Sequence, residues 1–556
     1  MKTRALFLAA ASALMLFLPA SLPCSAQTTR ADAEKDPVLS AMLQELGRSR
    51  DHLQLPGFQK PFFIQYRLDD VVDYTATANY GSLTGEQESH RRVVRVTVRV
   101  GDYKTDSSTE RGDGSLQFAA IEDDPIALRY ALWSATDLAY KNALREYTQK
   151  QAELKTVQTP PQADDFSSEK PVISIDPEAK LVLDREAWKQ RIVDASALYR
   201  TDPQAKAFSD DTQYSSGSVR ARALNRYLVN TEGTIVRQGS SEYLATVSLG
   251  TQASDGMRID RSYGTTSAAA DGLDSAQKFH DGVVKVLLSL HDLKNAPVIS
   301  DEYHGPVLFS ADASSDIFAE LFAPAVAAQR PEMGTTQRTR GPYASSFQAR
   351  VLPDFLKVTD NPGLTSFDNK PLLGAYQVDD EGVAAQPVTL VESGRLTNYL
   401  IGREPVKDFP ASNGHARAGI AQPARPITGV LHVETASPAT SDELMKKLLA
   451  LGKDDGLQYV YRVETFGPQL TPRLLWRIQV ADGKKELVRG AALDDLDQRT
   501  LRADIRAAGS DTWVDNIFGD VPQTVLAPSI LIEDVTVKRA DDRNDKLPYY
   551  SPPADK

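Results

Sequence analysis

Seven histidines and a single cysteine are the side chains through which this chain of 556 residues could hold a transition metal. Their spacing limits what they can do together. His280 and His291 lie eleven residues apart in a stretch with helical periodicity. They share a face, but a rise of about 1.5 Å per residue puts them roughly 16 Å apart, whereas nitrogens bound to one metal lie within about 4 Å of each other. They form no joint site. His52, His90, His304, His415 and His432 are scattered singly. His304 and His415, with Asp312 or Asp316, make a His/Asp site conceivable if the fold joins their segments. Asp379-Asp380-Glu381 offers oxygen ligands for Ca²⁺, but no EF-hand loop surrounds it, and turn capping is the better reading. The chain has no G-x-S-x-G elbow and no G-x-x-x-x-G-K-[ST] phosphate loop. Ser167-x-x-Lys170 and Ser275-x-x-Lys278 match S-x-x-K, a pattern short enough to arise by chance, and the first falls in a surface linker.

The elements that must position these groups follow from periodicity. Residues 1–26 read as a secretory signal: Lys2 and Arg4, an apolar run from Ala5 to Leu18, then a stretch ending Cys24-Ser25-Ala26. The run is short for a membrane span, so the protein is expected to be exported, periplasmic or secreted, and off the membrane after cleavage. Cleavage would remove the only cysteine, and with it any disulfide or thiolate ligand. It would also remove two basic residues from a chain whose formal charge is already −12. An acidic protein without a basic stripe is a poor nucleic-acid binder.

Asp36-Pro37 starts a helix with Val38, Met42 and Leu46 on one face, ending near Gly47. Residues 61–70 read as a strand. In 91–100 Val94, Val96, Val98 and Val100 alternate with Arg95, Thr97 and Arg99, which predicts a strand with one buried and one solvated face. Asp124-Pro125 opens the longest helix, to about Leu154, with Tyr130, Trp133, Tyr140 and Tyr147 as packing residues. Further helices are predicted after Asp184, from Asp274, and from the Thr440/Glu443 capping box to Gly452. The expected order is a signal peptide (1–26), an N-terminal α/β domain (27–157), a linker (158–172), a middle α/β region (173–299), a β-rich C-terminal domain (300–540) and a loose tail (541–556). The fold class is α+β: an α/β region with long helices, then mainly antiparallel β.

One stretch organises the rest. Tyr303 to Arg330 reads YHGPVLFSADASSDIFAELFAPAVAAQR, an apolar strand feeding a small-residue turn and an amphipathic segment from Ser315 to Gln329. Before it stands Asn230-Thr231-Glu232-Gly233. After it come Asp360-Asn361-Pro362, Asp379-Asp380-Glu381-Gly382, the loop Ser412–Ala418 carrying Arg417, and the closing runs Val525–Leu531 and Asp534–Val537. In this order they resemble the TldD/PmbA family of metallopeptidases, once described as modulators of DNA gyrase. The resemblance is strongest over 300–540 and thinner over 220–300.

That resemblance implies peptide hydrolysis by a zinc ion held by the two histidines of an H-E-x-x-x-H helix and a distant cysteine, with the glutamate as general base. Here the positions read Ala319-Glu320-Leu321-Phe322-Ala323-Pro324. Glu320 keeps the base position, either as a relic or as an ordinary exposed helix residue. Ala319 and Pro324 stand where the histidines are expected, and Pro324 should kink or end the helix. The expectation is therefore a chain without a cofactor of its own, zinc residing only in a partner. It would be a TldE-like, non-catalytic subunit completing a peptide-degrading complex with a zinc-bearing TldD-like relative. A stand-alone peptide-binding homodimer and a peptidase with a relocated metal site are the alternatives. Whether the chain is an enzyme stays open, and no residue marks the peptide groove.

Overall fold

The computed structural model describes residues 28–109 and 114–540. The expected signal peptide and the 541–556 tail lie outside the described residues. The fold is α+β. Strands β1 (Phe63–Asn79), β2 (Ser82–Arg99), β3 (Ser115–Ala119), β4 (Ile173–Ile175), β5 (Tyr214–Asn230), β6 (Ile235–Gln252) and β7 (Arg258–Ser267) form one sheet in the order β3-β2-β1-β5-β6-β4, with β7 also on β6. β1 pairs with β5 along almost its whole length, from Gln65↔Asn230 to Asn79↔Ser216. The sheet therefore runs unbroken across the 158–172 segment.

Period-two alternation gives this sheet two distinct faces. Ile64, Tyr66 and Leu68 of β1 point to the same side as Tyr74, Ala76 and Ala78. The first three pack with the Pro37–His52 and Pro125–Leu154 helices. The second three pack with the Arg185–Thr201 and Ala276–Asn295 helices. The odd-numbered face carries Gln65, Arg67, Asp69, Arg95 and Arg99, and the C-terminal half covers it: Arg67 donates to the Gln422 carbonyl at 2.6 Å, and the Ala421 amide donates to Asp69 at 2.9 Å. This overturns the expectation of a solvated arginine row. Arg99 is buried and paired with Asp106 at 2.6 Å.

The C-terminal half holds two large sheets, besides two short two-stranded ones. In one, β8 (Tyr303–Phe309) lies antiparallel to Ile530–Arg539 and parallel to Tyr459–Gly467. The other runs from Arg395–Leu396 through Val388–Glu392, Leu356–Asp360, Val430–Thr435 and Gln523–Ala527 to Trp513–Ile517. Most pairings are antiparallel. Residues of both sheets share one core with Ile317, Phe318 and Phe322.

Local readings shift where tertiary contacts intervene. The first helix continues through Gly47 to His52, because Ser49 is buried and accepts from the Tyr66 hydroxyl at 2.8 Å. Ser275, one residue beyond Asp274, caps its helix, while Asp274 accepts from the Tyr263 hydroxyl. Tyr130 and Trp133 face solvent rather than the core. The 158–172 segment is mostly surface, as read, but Asp165, Phe166 and Ser167 are buried, with the Arg99 and Arg403 guanidinium groups 4.1 and 4.0 Å from the centre of the Phe166 ring. The capping box holds, but its helix runs to Asp454. Gly452 sits inside the helix, where a Cβ would collide with Val460. Gly456, at φ +68°, terminates it instead. Leu457 donates to the Gly452 carbonyl and Gly456 to that of Lys453, closing a Schellman motif. Gly456→Ala is expected to cost about 1 kcal/mol by urea unfolding through the left-handed penalty. A neutral result would refute that assignment.

Candidate functional site

β8 delivers the chain to Ser310, whose Oγ accepts from the Ala313 amide at 3.1 Å and starts the Ala311–Ile317 helix. A π-turn, Phe318–Phe322, and a last segment, Ala323–Val326, continue it. Ala313, Ile317, Phe318 and Phe322 are buried. Asp312, Asp316, Glu320 and Pro324, spaced by four, form the opposite stripe. The π-turn has a local cause. Pro324 lacks an N–H, and its ring crowds the carbonyl four residues back, at Glu320. Widening relieves the crowding, and the Ala323 amide bonds the Phe318 carbonyl in i→i+5 fashion. Pro324 thus distorts the helix without ending it, and the helix stops at Val326 rather than Gln329. Positions 319 and 324 would stand about 140° apart on a regular α-helix; the widened turn draws them toward one side.

The stripe meets Asp515, delivered by the Trp513–Ile517 strand. Burial pushes the Asp312 carboxyl up to about 6, with Arg261 opposing. Burial, reinforced by Asp312, likewise pushes Asp515 up to about 6. Asp316 rises to about 7 through burial and then the charges of Asp515, Asp312 and Glu320. The recess is therefore a set of carboxyl groups that hold protons at mildly acidic pH. Sequence reading singled out Asp312 and Asp316 but missed Asp515 and Arg261. Asp515 lies about 200 residues away, and nothing local marks it.

The other candidates separate. His304 is on the exposed part of β8, near Glu302 and Thr536. His415 is fully buried, 3.3 Å from Asp360 and bonded to Asn413. The two share no partner, so the conceivable His304/His415 site is not assembled; among the described residues no group of three or more His, Cys, Asp or Glu is placed to hold a metal. His280 approaches Asp202 and His291 pairs with Asp211, each by itself. The Asp379-Asp380-Glu381 cluster divides its work. Asp379 caps its turn, accepting from the amides of Glu381, Val383 and Ala416. Asp380 crosses to the N-terminal sheet and pairs with Arg226 at 2.6 Å. Glu381 accepts from the Arg403 amide. The Ser167 carbonyl accepts from Arg403, and its hydroxyl donates to Glu169 at 2.6 Å. Ser275 caps its helix. Neither S-x-x-K pair has a catalytic arrangement.

Asp380, from the acidic turn, pairs with Arg226 of the N-terminal sheet and lies 3.5 Å from Arg417 of the small-residue loop, while Arg403 pairs with Glu232 of the Asn230–Gly233 turn. Three of the motifs, the Asn230–Gly233 turn, the acidic turn and the small-residue loop, thus meet at the seam between the halves. Residues 302–539 match the family model described as the PmbA/TldA metallopeptidase C-terminal domain. Over these residues the chain carries a C-terminal domain of the TldD/PmbA family. A Thermotoga maritima protein, provisionally described as a modulator of a DNA gyrase, is 14% identical with a TM-score of 0.59, the match covering 90% of this chain and 99% of that one. TldE from Thermococcus kodakarensis is also 14% identical, with a TM-score of 0.58, covering 89% of this chain and 99% of its own. Identities this low show a common fold. No curated protein matches the sequence.

The residues at the TldD/PmbA zinc position do not fit the metal. Ala319 is half-buried and Pro324 exposed, and neither carries a donor atom. The buried carboxyl groups nearby, Asp312, Asp316 and Asp515, are pushed toward the protonated form, the reverse of what a ligand set needs.

Proposed function

We propose that this TldD/PmbA chain is the non-catalytic, TldE-like subunit of an exported metallopeptidase, completing the enclosure of a peptide that a zinc-bearing relative cleaves. The observation that carries the reading is the widened turn at Phe318–Phe322, which draws positions 319 and 324 toward one side and presents there a methyl group and a pyrrolidine ring. Glu320 remains exposed beside them, with no metal-bound water to deprotonate. Export rests on the pattern of residues 1–26, and the acidic balance argues against nucleic acid as a partner. A need for a partner is supported by the outer stripe of the Pro125–Leu154 helix, where Ile126, Tyr130 and Trp133 are exposed at 60%, 66% and 49%. A stand-alone peptide-binding homodimer is the second reading, supported by the same stripe.

The test is zinc content and peptidase activity of the mature protein, purified alone and then with a co-expressed relative bearing intact ligands. The expected result is no stoichiometric zinc and no cleavage alone, with cleavage appearing or rising in the complex. Cleavage by the isolated chain would overturn the subunit reading. Binding of peptide by the isolated chain, with no effect on any relative, would favour the homodimer.

A further inference from the structure

Glu242 is a carboxyl group that the fold buries without a hydrogen bond to its Oε2. It stands on β6 directly opposite Arg222 of β5, which is itself opposite Asp73 of β1. This row faces the C-terminal half. Gln238, four residues earlier on the same face of β6, donates to the Val378 carbonyl at 2.8 Å and accepts from the Val378 amide at 3.2 Å. Glu242 is 3% exposed, and its Oε2 has no hydrogen-bond partner. The cations around it are committed elsewhere. Arg222 donates from Nε to Asp73 at 2.7 Å and holds Nη1 3.6 Å from Asp520. Arg417, of the small-residue loop, has its guanidinium 4.0 Å from the centre of the Tyr376 ring and its Nε 3.5 Å from Asp380, while its Nη1 is buried without a partner. A buried carboxylate without hydrogen bonds is costly. Burial accordingly pushes the Glu242 carboxyl up to about 7, the Arg222 and Arg417 charges opposing and those of Asp73 and Asp520 reinforcing.

We propose that Glu242 is a proton-operated latch on the seam: with its proton it lets the small-residue loop close over β6, and without it the carboxylate draws water in and loosens that closure. A neutral carboxyl is buried at modest cost, whereas an ionised one gains more from water than the closed seam offers it. Water is close at hand, because the neighbouring Asp520 side chain is 75% exposed. The loop can yield locally. It is held to the acidic turn by the Ala416 and Ala418 amides, which donate to Asp379 and Asp380 at 3.1 and 2.6 Å, and Arg417 adds only its long contact with Asp380. The closed seam keeps the Glu242 proton up to about pH 7, an open and hydrated one only to the ordinary 4.5. Closure is therefore fully supported below about pH 4.5 and weakens as pH rises through 7. The latch involves neither the carboxyl stripe nor positions 319 and 324, so it is independent of the subunit reading.

The experiment is hydrogen exchange of the full chain, read by mass spectrometry at pH 6 and pH 8 and corrected for the intrinsic dependence of exchange on pH. The amides of residues 414–419 should be about tenfold less protected at pH 8 than at pH 6, the ratio that a shift from 4.5 to about 7 gives. Amides of the Pro125–Leu154 helix, on the other face of the sheet, should show no such loss. Glu242→Gln keeps the shape and removes the charge, so its loop should retain at pH 8 the protection it has at pH 6. Glu242→Met takes its place if that variant does not fold. A parent loop equally protected at both pH values, a loss that the variant shares, or one that extends to the helix would overturn the proposal.

Discussion

Replacing Arg226 by methionine is expected to lower the unfolding free energy by about 3–5 kcal/mol, the cost of leaving buried charges unpaired. Arg226 is wholly inside the protein. Its Nε donates to Asp69 at 2.7 Å, and its Nη1 donates to the Ala418 carbonyl at 3.1 Å and pairs with Asp380 at 2.6 Å. Without it, Asp69 keeps Arg67 at 3.5 Å and Asp380 keeps Arg417 at 3.5 Å, neither in good hydrogen-bond geometry. The measurement is the urea midpoint, with the slope m unchanged if the halves still unfold together. Arg226→Lys should recover only a small part, because an ammonium cannot reach both carboxylates as a planar fork does. A loss below about 1 kcal/mol for Arg226→Met would show that the seam is wetter than its burial indicates.

The second large effect is expected in the carboxyl stripe, and it depends on pH. Asp312, Asp316 and Asp515 have folded-state pKa values of about 6, 7 and 6, above their ordinary 3.8. Between roughly pH 4 and 7 the folded state therefore binds more protons than the unfolded chain. The stability these groups contribute is complete below pH 4 and is lost as pH rises through 6 to 7. Asp69 and Asp380 act in the opposite sense. Their arginine partners hold them below the usual range against the burial that would raise them, so their contribution is lost on acidification. Stability should then be greatest near pH 4–6. Asp316→Asn removes the most perturbed of the three acids. It should raise stability at pH 8 by roughly 2–3 kcal/mol, allowing for its partial exposure, and change little at pH 4. Glu242, which burial also pushes up to about 7, should leave a residual slope in the variant. Equal stability of variant and parent at pH 8 would rule the coupling out.

Much of the local structure was legible because its causes are local. Asp124-Pro125 and the 3.6-residue periodicity after it mark a helix whose bounds, Pro125–Leu154, match the reading. The Ser393-Gly394 turn sits between Val388–Glu392 and Arg395–Leu396, with both turn residues at positive φ. The family was legible for a different reason: its motifs are short, ordered and carried by turns, which sequence displays directly. The arginine row of β2 was misread because alternation tells which residues share a face, not what covers it. Gly452 was misread because its role is to admit Val460, a contact that propensity cannot see.

Sequence alone located parts of several strands and most helices, the resemblance to the TldD/PmbA family, and the loss of donor atoms at positions 319 and 324. Tertiary structure decided which motifs act together. It placed the acidic turn, the small-residue loop and the Asn230–Gly233 turn at the seam between the halves. It also brought Asp515 to the stripe of Asp312 and Asp316, and buried Glu242 in the seam near Arg417. Those outcomes depend on non-local strand pairing and on the burial of charge, and burial belongs to the assembled fold rather than to any window of the chain.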